Sequence, residues 1–168
     1  LMNQASHYVD LLDWLIGPVE SISAALATIG RNIEVEDPAA LQIKWKNGAL
    51  GTMAVSMITY PKNLEGSITI IGEKGTVKIG GPSVNKIEHW TFSDYHDDDS
   101  LVEKATYETS SVYGFGHYAY YSNVLKTLQG KEESICDGYQ GLKSLELITA
   151  AYKSAKEKRI INLPLMNS

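Results

Sequence analysis

At 168 residues, with 43% hydrophobic and 21% charged side chains, the chain is long enough for one domain with a real core and is ordinary in composition for a globular fold. The net charge of -5 and the lack of any Lys/Arg run argue against nucleic acid or an anionic membrane as the main partner. The single cysteine, Cys136, excludes an internal disulfide and fits a reducing, cytoplasmic setting, and no apolar stretch is long enough to span a bilayer.

The opening residues 1–17, LMNQASHYVDLLDWLIG, read as a helix already under way, so the chain is expected to be part of a longer protein. Gly17-Pro18 should stop this helix. Leu1, Ala5, Tyr8, Val9, Leu12, Leu15 and Ile16 cover one broad apolar face, and Asn3, His7, Asp10 and Trp14 form a stripe along its border. Asn3 and His7 stand at i and i+4, where side chains on a helix meet.

Strands are expected next, over 19–30, 40–46, 49–58, 66–72, 75–81 and 85–93. Residues 40–46 alternate cleanly, with Leu41, Ile43 and Trp45 on one face and Gln42 and Lys44 on the other. Asn47-Gly48 is the strongest short hairpin signal, and Glu73-Lys74 reads as a second tight hairpin. Residues 101–110 are the expected partner of 85–93 across the acidic turn at 94–100. Joined by hairpins without crossover helices, these strands predict a largely antiparallel sheet, one face of which carries small and polar residues. Helices are expected over 114–130 and 137–159, then a closing strand at 160–165. The pattern is one α+β domain over 1–168: a helix, a mostly antiparallel open sheet, two more helices and a tail.

Several residues carry candidate chemistry. A neutral imidazole such as that of His7 takes a proton from an alcohol near neutral pH, and a neighbour such as Asn3 can fix its tautomer; a satisfied boundary histidine is the plain alternative. His7 with Asp10 lacks the further ligands of a metal site, and residues 96–99, HDDD, read as a solvated acidic loop, so no metal is expected. Residues 114–119, GFGHYA, match the letters of a dinucleotide fingerprint, but a polar stretch precedes them and no βαβ unit surrounds them; they read as a glycine-rich helix start, and no cofactor site is expected within the chain. His117 falls on the apolar face of its helix near Tyr121, as a core histidine or as a ligand contact. The loop 59–67 gathers Tyr60, Lys62 and Asn63, either as a polar turn or as groups that meet a carboxylate, phosphate or sugar hydroxyl.

Taken together and in order, NQASHYVDLLDWLIGPVESISA, IKWKNGALGT, ITIIGEKGTVKI and LITAAYKSAKEKRIINLP resemble the C-terminal domain of the Gfo/Idh/MocA oxidoreductases over almost the whole chain. RNIEVED, YPKNLEGS and GFGHYAYYSNVL look most like the branch that acts on sugar nucleotides, which includes bacterial dehydrogenases of UDP-N-acetylglucosaminuronic acid in O-antigen synthesis. The resemblance implies a large open sheet with helices on one face, and an N-terminal Rossmann domain, binding NAD or NADP, outside this chain. It implies a cytoplasmic homodimer or homotetramer paired through the sheet. It places His7 on the histidine of the family's D-x-x-x-H motif, with Asn3 where many members have Asp. Asn cannot accept a proton but can position a hydroxyl. His7 and Asn3 are therefore the implied catalytic pair, with Gln4, Tyr60, Lys62, Asn63 and His117 as substrate contacts.

Overall fold

A computed structural model describes residues 1–3, 5–81, 83–109 and 115–165. In chain order its elements are α1 (Ser6–Ile16), β1 (Val19–Leu26), β2 (Pro38–Trp45), β3 (Leu50–Ser56), β4 (Ile68–Gly72), β5 (Gly75–Gly80), β6 (Lys86–Phe92), a 3-10 turn (Asp97–Leu101), α2 (Val102–Ala105), α3 (Gly116–Leu128), α4 (Gly138–Glu157) and β7 (Ile161–Asn162). They form two compact units, Leu1–Pro61 with Cys136–Ser168, and Lys62–Ile135. Every strand pair is antiparallel, as the hairpins predict, but the strands are hydrogen-bonded into two sheets rather than one.

The first unit holds the sheet β3-β2-β1-β7. Alternation in β2 buries Ala39, Leu41, Ile43 and Trp45 and leaves Ala40, Gln42 and Lys44 exposed. Register carries the same face across, with Ile22 opposite Ile43 and Met53 opposite Leu41. Val9 of α1, Leu147, Ile148, Ala150 and Ala151 of α4, and Ile161 of β7 complete the core. The helices thus cover one face of the sheet. On the other face Thr52, Ala54 and Ser56 of β3 lie exposed beside Ala40 and Gln42.

The predicted β2–β3 hairpin forms at Asn47-Gly48, where Gly48 takes φ +91° and Asn47 Oδ1 accepts from Ala49 N at 3.0 Å. The same asparagine donates to Ile16 O at 2.9 Å, tying the hairpin to the end of α1. Gly17 (φ 106°) ends that helix as expected. Gly51 lets the Trp45 ring lie flat against β3, since a Cβ there would stand 2.7 Å from the ring.

The loop between β1 and β2 is organised by Asp37, which is 2% exposed. Its carboxylate accepts from the N–H groups of Ile29 (2.8 Å), Gly30 (2.6 Å) and Arg31 (2.7 Å). Burial pushes this carboxyl up, but the three N–H groups outweigh it and hold the group below the usual aspartate range. The unfolded chain therefore takes up this proton at a higher pH than the folded one. The stabilisation is complete above about pH 4, the unfolded value, and is lost as pH falls through the lower folded value. Asp37→Asn turns an NH2 group towards backbone donors. It is expected to lower the thermal midpoint at pH 7 and to flatten the decline of stability below about pH 4. Melting curves across that range check this; an unchanged midpoint at pH 7 refutes it.

The second unit holds the sheet β4-β5-β6, with the predicted turn at Glu73-Lys74. Lys78 of β5 lies between Glu65 at 2.8 Å and Glu88 at 3.0 Å. The expected strand at 101–110 does not form over 101–109, and residue 110 lies outside the described residues. The 3-10 turn and α2 occupy 97–105, and His96 and Asp99 cap the turn reciprocally. Residues 106–108 still run beside the start of β6: Tyr107 N donates to Asn85 O at 3.2 Å, Asn85 Nδ2 donates to Tyr107 O, and Thr106 Oγ1 accepts from Ile87 N at 3.1 Å. α3 runs Gly116–Leu128, inside the expected 114–130, but its predicted apolar face is open, with Leu125 59% and Leu128 79% exposed. His117 is exposed as well, which removes the core reading of that histidine.

Candidate functional site

Asn3 and His7 meet solvent at the start of α1. Both were expected on one helix, but α1 begins at Ser6, so Asn3 lies in the turn ahead of it. Ser6 N and Oγ both reach Asn3 O, at 3.3 Å and 2.5 Å, and hold that turn. Among the described residues no hydrogen bond joins the Asn3 and His7 side chains. Asp10 and Trp14 continue the exposed stripe as predicted.

The opposite face of α1 is fixed. Ala5 and Val9 are buried, and Leu1, Leu12 and Ile16 pack on the core. Asp10 Oδ1 accepts from Ser144 Oγ of α4 at 2.5 Å. Asp13 is half-buried, and burial pushes its carboxyl up, with Lys143 pulling it down and Asp10 adding to the rise. Behind the helix, Glu36 Oε1 accepts from Tyr152 Oη of α4 at 2.7 Å. The result is an imidazole with a free outer face on a backbone held from behind, which is the arrangement a proton acceptor for a bound alcohol requires.

The other candidates are spread out. Gln4 lies outside the described residues. Tyr60 stands exposed at the end of the loop after β3, in the first unit. Lys62 and Asn63, on the segment leading into β4, and His117, on the first turn of α3, belong to the second unit and are all exposed. Among the described residues no group of His, Cys, Asp and Glu side chains could hold a metal ion, and no helix is long and apolar enough to cross a membrane. Residues 106–109 form no strand, and Gly114 of the GFGHYA stretch lies outside the described residues. Glu36 and Tyr152 were missed from sequence. The acidic pair Glu36-Asp37 gives no periodic signal, and Tyr152 reads as one more apolar position on α4.

A family model described as "Oxidoreductase family, C-terminal alpha/beta domain" (Gfo/Idh/MocA) matches residues 1–163. The chain belongs to the Gfo/Idh/MocA oxidoreductase family. Among solved structures, this Gfo/Idh/MocA domain is similar to the WlbA dehydrogenase from Chromobacterium violaceum in complex with NADH and UDP-GlcNAcA, at 57% identity and TM-score 0.91, covering 99% of this chain and 46% of that one. It is equally similar to the WlbA dehydrogenase from Bordetella pertussis in complex with the same two compounds, at 57% identity and TM-score 0.92, covering 98% of this chain and 47% of that one. A levoglucosan dehydrogenase, in complex with NADH and levoglucosan, shares the fold at 17% identity and TM-score 0.76, covering 98% of this chain and 50% of that one. The chain thus spans about half the length of the solved chains it matches. A search of curated proteins gave no match.

Proposed function

We propose that the chain is the C-terminal, substrate-binding domain of a cytoplasmic dehydrogenase that oxidises a ring secondary alcohol of a nucleotide sugar to a ketone. The preferred substrate is UDP-N-acetylglucosaminuronic acid, oxidised at C3, in lipopolysaccharide synthesis. The observation that carries this reading is the 57% identity, over nearly the whole chain, to two dehydrogenases bound to NADH and UDP-GlcNAcA. In the parent, a nicotinamide dinucleotide held by an N-terminal Rossmann domain takes up the hydride. His7 accepts the hydroxyl proton or shares it with a group of that domain. Asn3 and Gln4 hold sugar hydroxyls. Tyr60, Lys62, Asn63 and His117 are further substrate contacts.

The test is direct. The full-length parent is incubated with oxidised dinucleotide and UDP-N-acetylglucosaminuronic acid, and NADH absorbance is followed. The expected result is a rise that needs the uronic acid. Failure with both NAD and NADP, by a folded protein, overturns the reading. Chain 1–168 alone is expected to bind no NADH, by fluorescence titration, because the described residues form no dinucleotide fold.

The open sheet face supports a second role, in assembly. Ala40, Gln42, Thr52, Ala54 and Ser56 present small, mostly uncharged side chains over adjacent strands, a surface that packs closely on a twin. A homodimer or homotetramer through this face is expected, with total burial of roughly 1,200 Å² or more per interface. Ala54→Arg should shift the species seen by light scattering towards monomer. A monomeric parent refutes the role.

A further inference from the structure

The second unit opens with residues 62–67, which form no helix or strand and lead into β4. This stretch carries Lys62 and Asn63, both exposed. Backbone pairing does not set its course, so side chains must. Glu65, two residues past Asn63, is where they act. Its Oε1 accepts from Lys78 Nζ of β5 at 2.8 Å and from Ser67 Oγ at 2.7 Å.

Lys78 is held from its other side as well. Its Nζ lies 3.0 Å from Glu88 Oε2 of β6. The sheet is shaped for that contact. The register of β5 and β6 passes from Lys78 opposite His89 to Ile79 opposite Ile87, so Glu88 is the extra residue of a bulge, and a bulge re-aims a side chain. Gly80, two positions beyond Lys78 on β5, leaves the space that Glu88 fills, because a Cβ there would collide with its carboxylate. One ionic chain therefore runs from β6 across β5 to the loop: Glu88, Lys78, Glu65, then Ser67. The bond from Lys78 holds the Glu65 carboxyl below its usual range, and the bonds to Glu65 and Glu88 raise the Lys78 ammonium, so both stay charged around neutral pH. A lone exposed ion pair fixes little, but a cation shared by two carboxylates forms a network. Sharing also neutralises Lys78. Lys62 pairs with no carboxylate among the described residues, so Lys62 is the cation of this loop left to meet an anionic ligand.

We infer that Lys78 and Glu65 are positioning residues for Lys62 and Asn63, with Glu88 as their fixed base. The ionic chain sets the course of 62–67 and through it the place of the two groups that meet the nucleotide sugar. The inference rests on the reading of Lys62 and Asn63 as substrate contacts. Neither group takes part in the proton or hydride step, so loss of this latch should appear in KM rather than in kcat.

The experiment uses the full-length parent with UDP-N-acetylglucosaminuronic acid and the variants Lys78→Met, Glu65→Ala, Lys78→Arg, Lys62→Ala, Asn63→Ala and the double variant Lys62→Ala/Lys78→Met. Lys78→Met and Glu65→Ala are expected to raise KM about tenfold, the cost of ordering one or two freed side chains on binding, with kcat within about threefold of normal. Tryptic cleavage after Lys62 should quicken about tenfold in both, while the thermal midpoint moves by less than about 4 °C. Lys78→Arg keeps both ion pairs and should hold KM near normal. Because the latch acts through Lys62, the double variant should fall well short of the product of the two single effects. Normal KM in Lys78→Met and Glu65→Ala, while Lys62→Ala raises it, overturns the inference. So does a fully multiplicative double variant, or a larger fall in midpoint, which marks general loosening. A lower KM in Glu65→Ala overturns it too, since a released Lys78 would then itself be the contact. Normal KM in both Lys62→Ala and Asn63→Ala brings down the substrate-contact reading, and leaves the latch no group to place.

Discussion

Replacing His7 with alanine in the full-length parent is expected to lower kcat by about 10²–10⁴-fold while leaving the fold intact. The factor is the usual contribution of a positioned general base and corresponds to about 2.7–5.5 kcal/mol of barrier. The structure separates this effect from a loss of stability. His7 is exposed on the border stripe of α1, and the core contacts of that helix come from Ala5, Val9, Leu12 and Ile16. Such an exposed site changes stability by no more than about 0.5 kcal/mol. The melting curve of His7→Ala should therefore overlay that of the unaltered protein. His7→Gln keeps hydrogen-bonding capacity without a basic site and should be nearly as slow. Turnover within threefold of normal for either variant removes His7 from the chemistry. Asn3→Ala is the companion case. Since Asn3 can only position a hydroxyl, its loss should raise KM as well as lower kcat.

The second large effect is on stability, at Trp45. This residue is 2% exposed, and with Val9 and Leu12 of α1, Val19 and Ile22 of β1, Leu41 and Ile43 of β2, and Leu147 of α4 it lines one small apolar cavity of the core. Every layer of the first unit meets there. Trp45→Ala removes the whole indole and leaves a void that four elements must collapse around. The expected cost is about 3–5 kcal/mol, a large share of the total stability of a typical domain. For a chain of this length that lowers the thermal midpoint by roughly 6–20 °C. Trp45→Phe behaves differently. Among the described residues Trp45 Nε1 is a buried polar atom with no hydrogen-bond partner, so phenylalanine removes volume and an unsatisfied donor together. Its loss should be less than half that of alanine. Equal midpoints for the two variants would refute this expectation.

What the sequence made legible follows a physical line. Local, periodic signals read correctly. The alternation of Leu41, Ile43 and Trp45, with Asn47-Gly48 behind it, places the β2–β3 hairpin, and the wheel of α1 separates the buried Val9 from the exposed His7. Signals that depend on a distant partner did not read. Residues 101–110 look like a strand because Val102, Thr106 and Tyr107 favour one, yet the capping pair His96–Asp99 turns the chain into helix first. One backbone bond, Tyr107 N to Asn85 O, and the side chains of Thr106 and Asn85 then join this stretch to the start of β6. The face of α3 was expected to be apolar and covered, but amphipathicity says only that a face wants a partner, not that this chain provides one. At the candidate site, the motif letters point to His7 and Asn3. The Glu36–Tyr152 bond, spanning 116 positions, leaves no trace in any local window.

The interleaving of the two units bears on how the protein emerges from the ribosome. The second unit is one continuous stretch, whereas the first is split around it and is finished by α4 and β7. β1 gains Ile161 as its partner only after the whole of the second unit and α4 have been made. At about 5–20 residues per second, β1, β2 and β3 wait roughly 5–20 s with Leu41, Ile43 and Trp45 uncovered. Nascent chains are most exposed to misassembly in that interval. Shortening the wait by permuting the order of elements should raise the soluble yield, with no change in the native contacts.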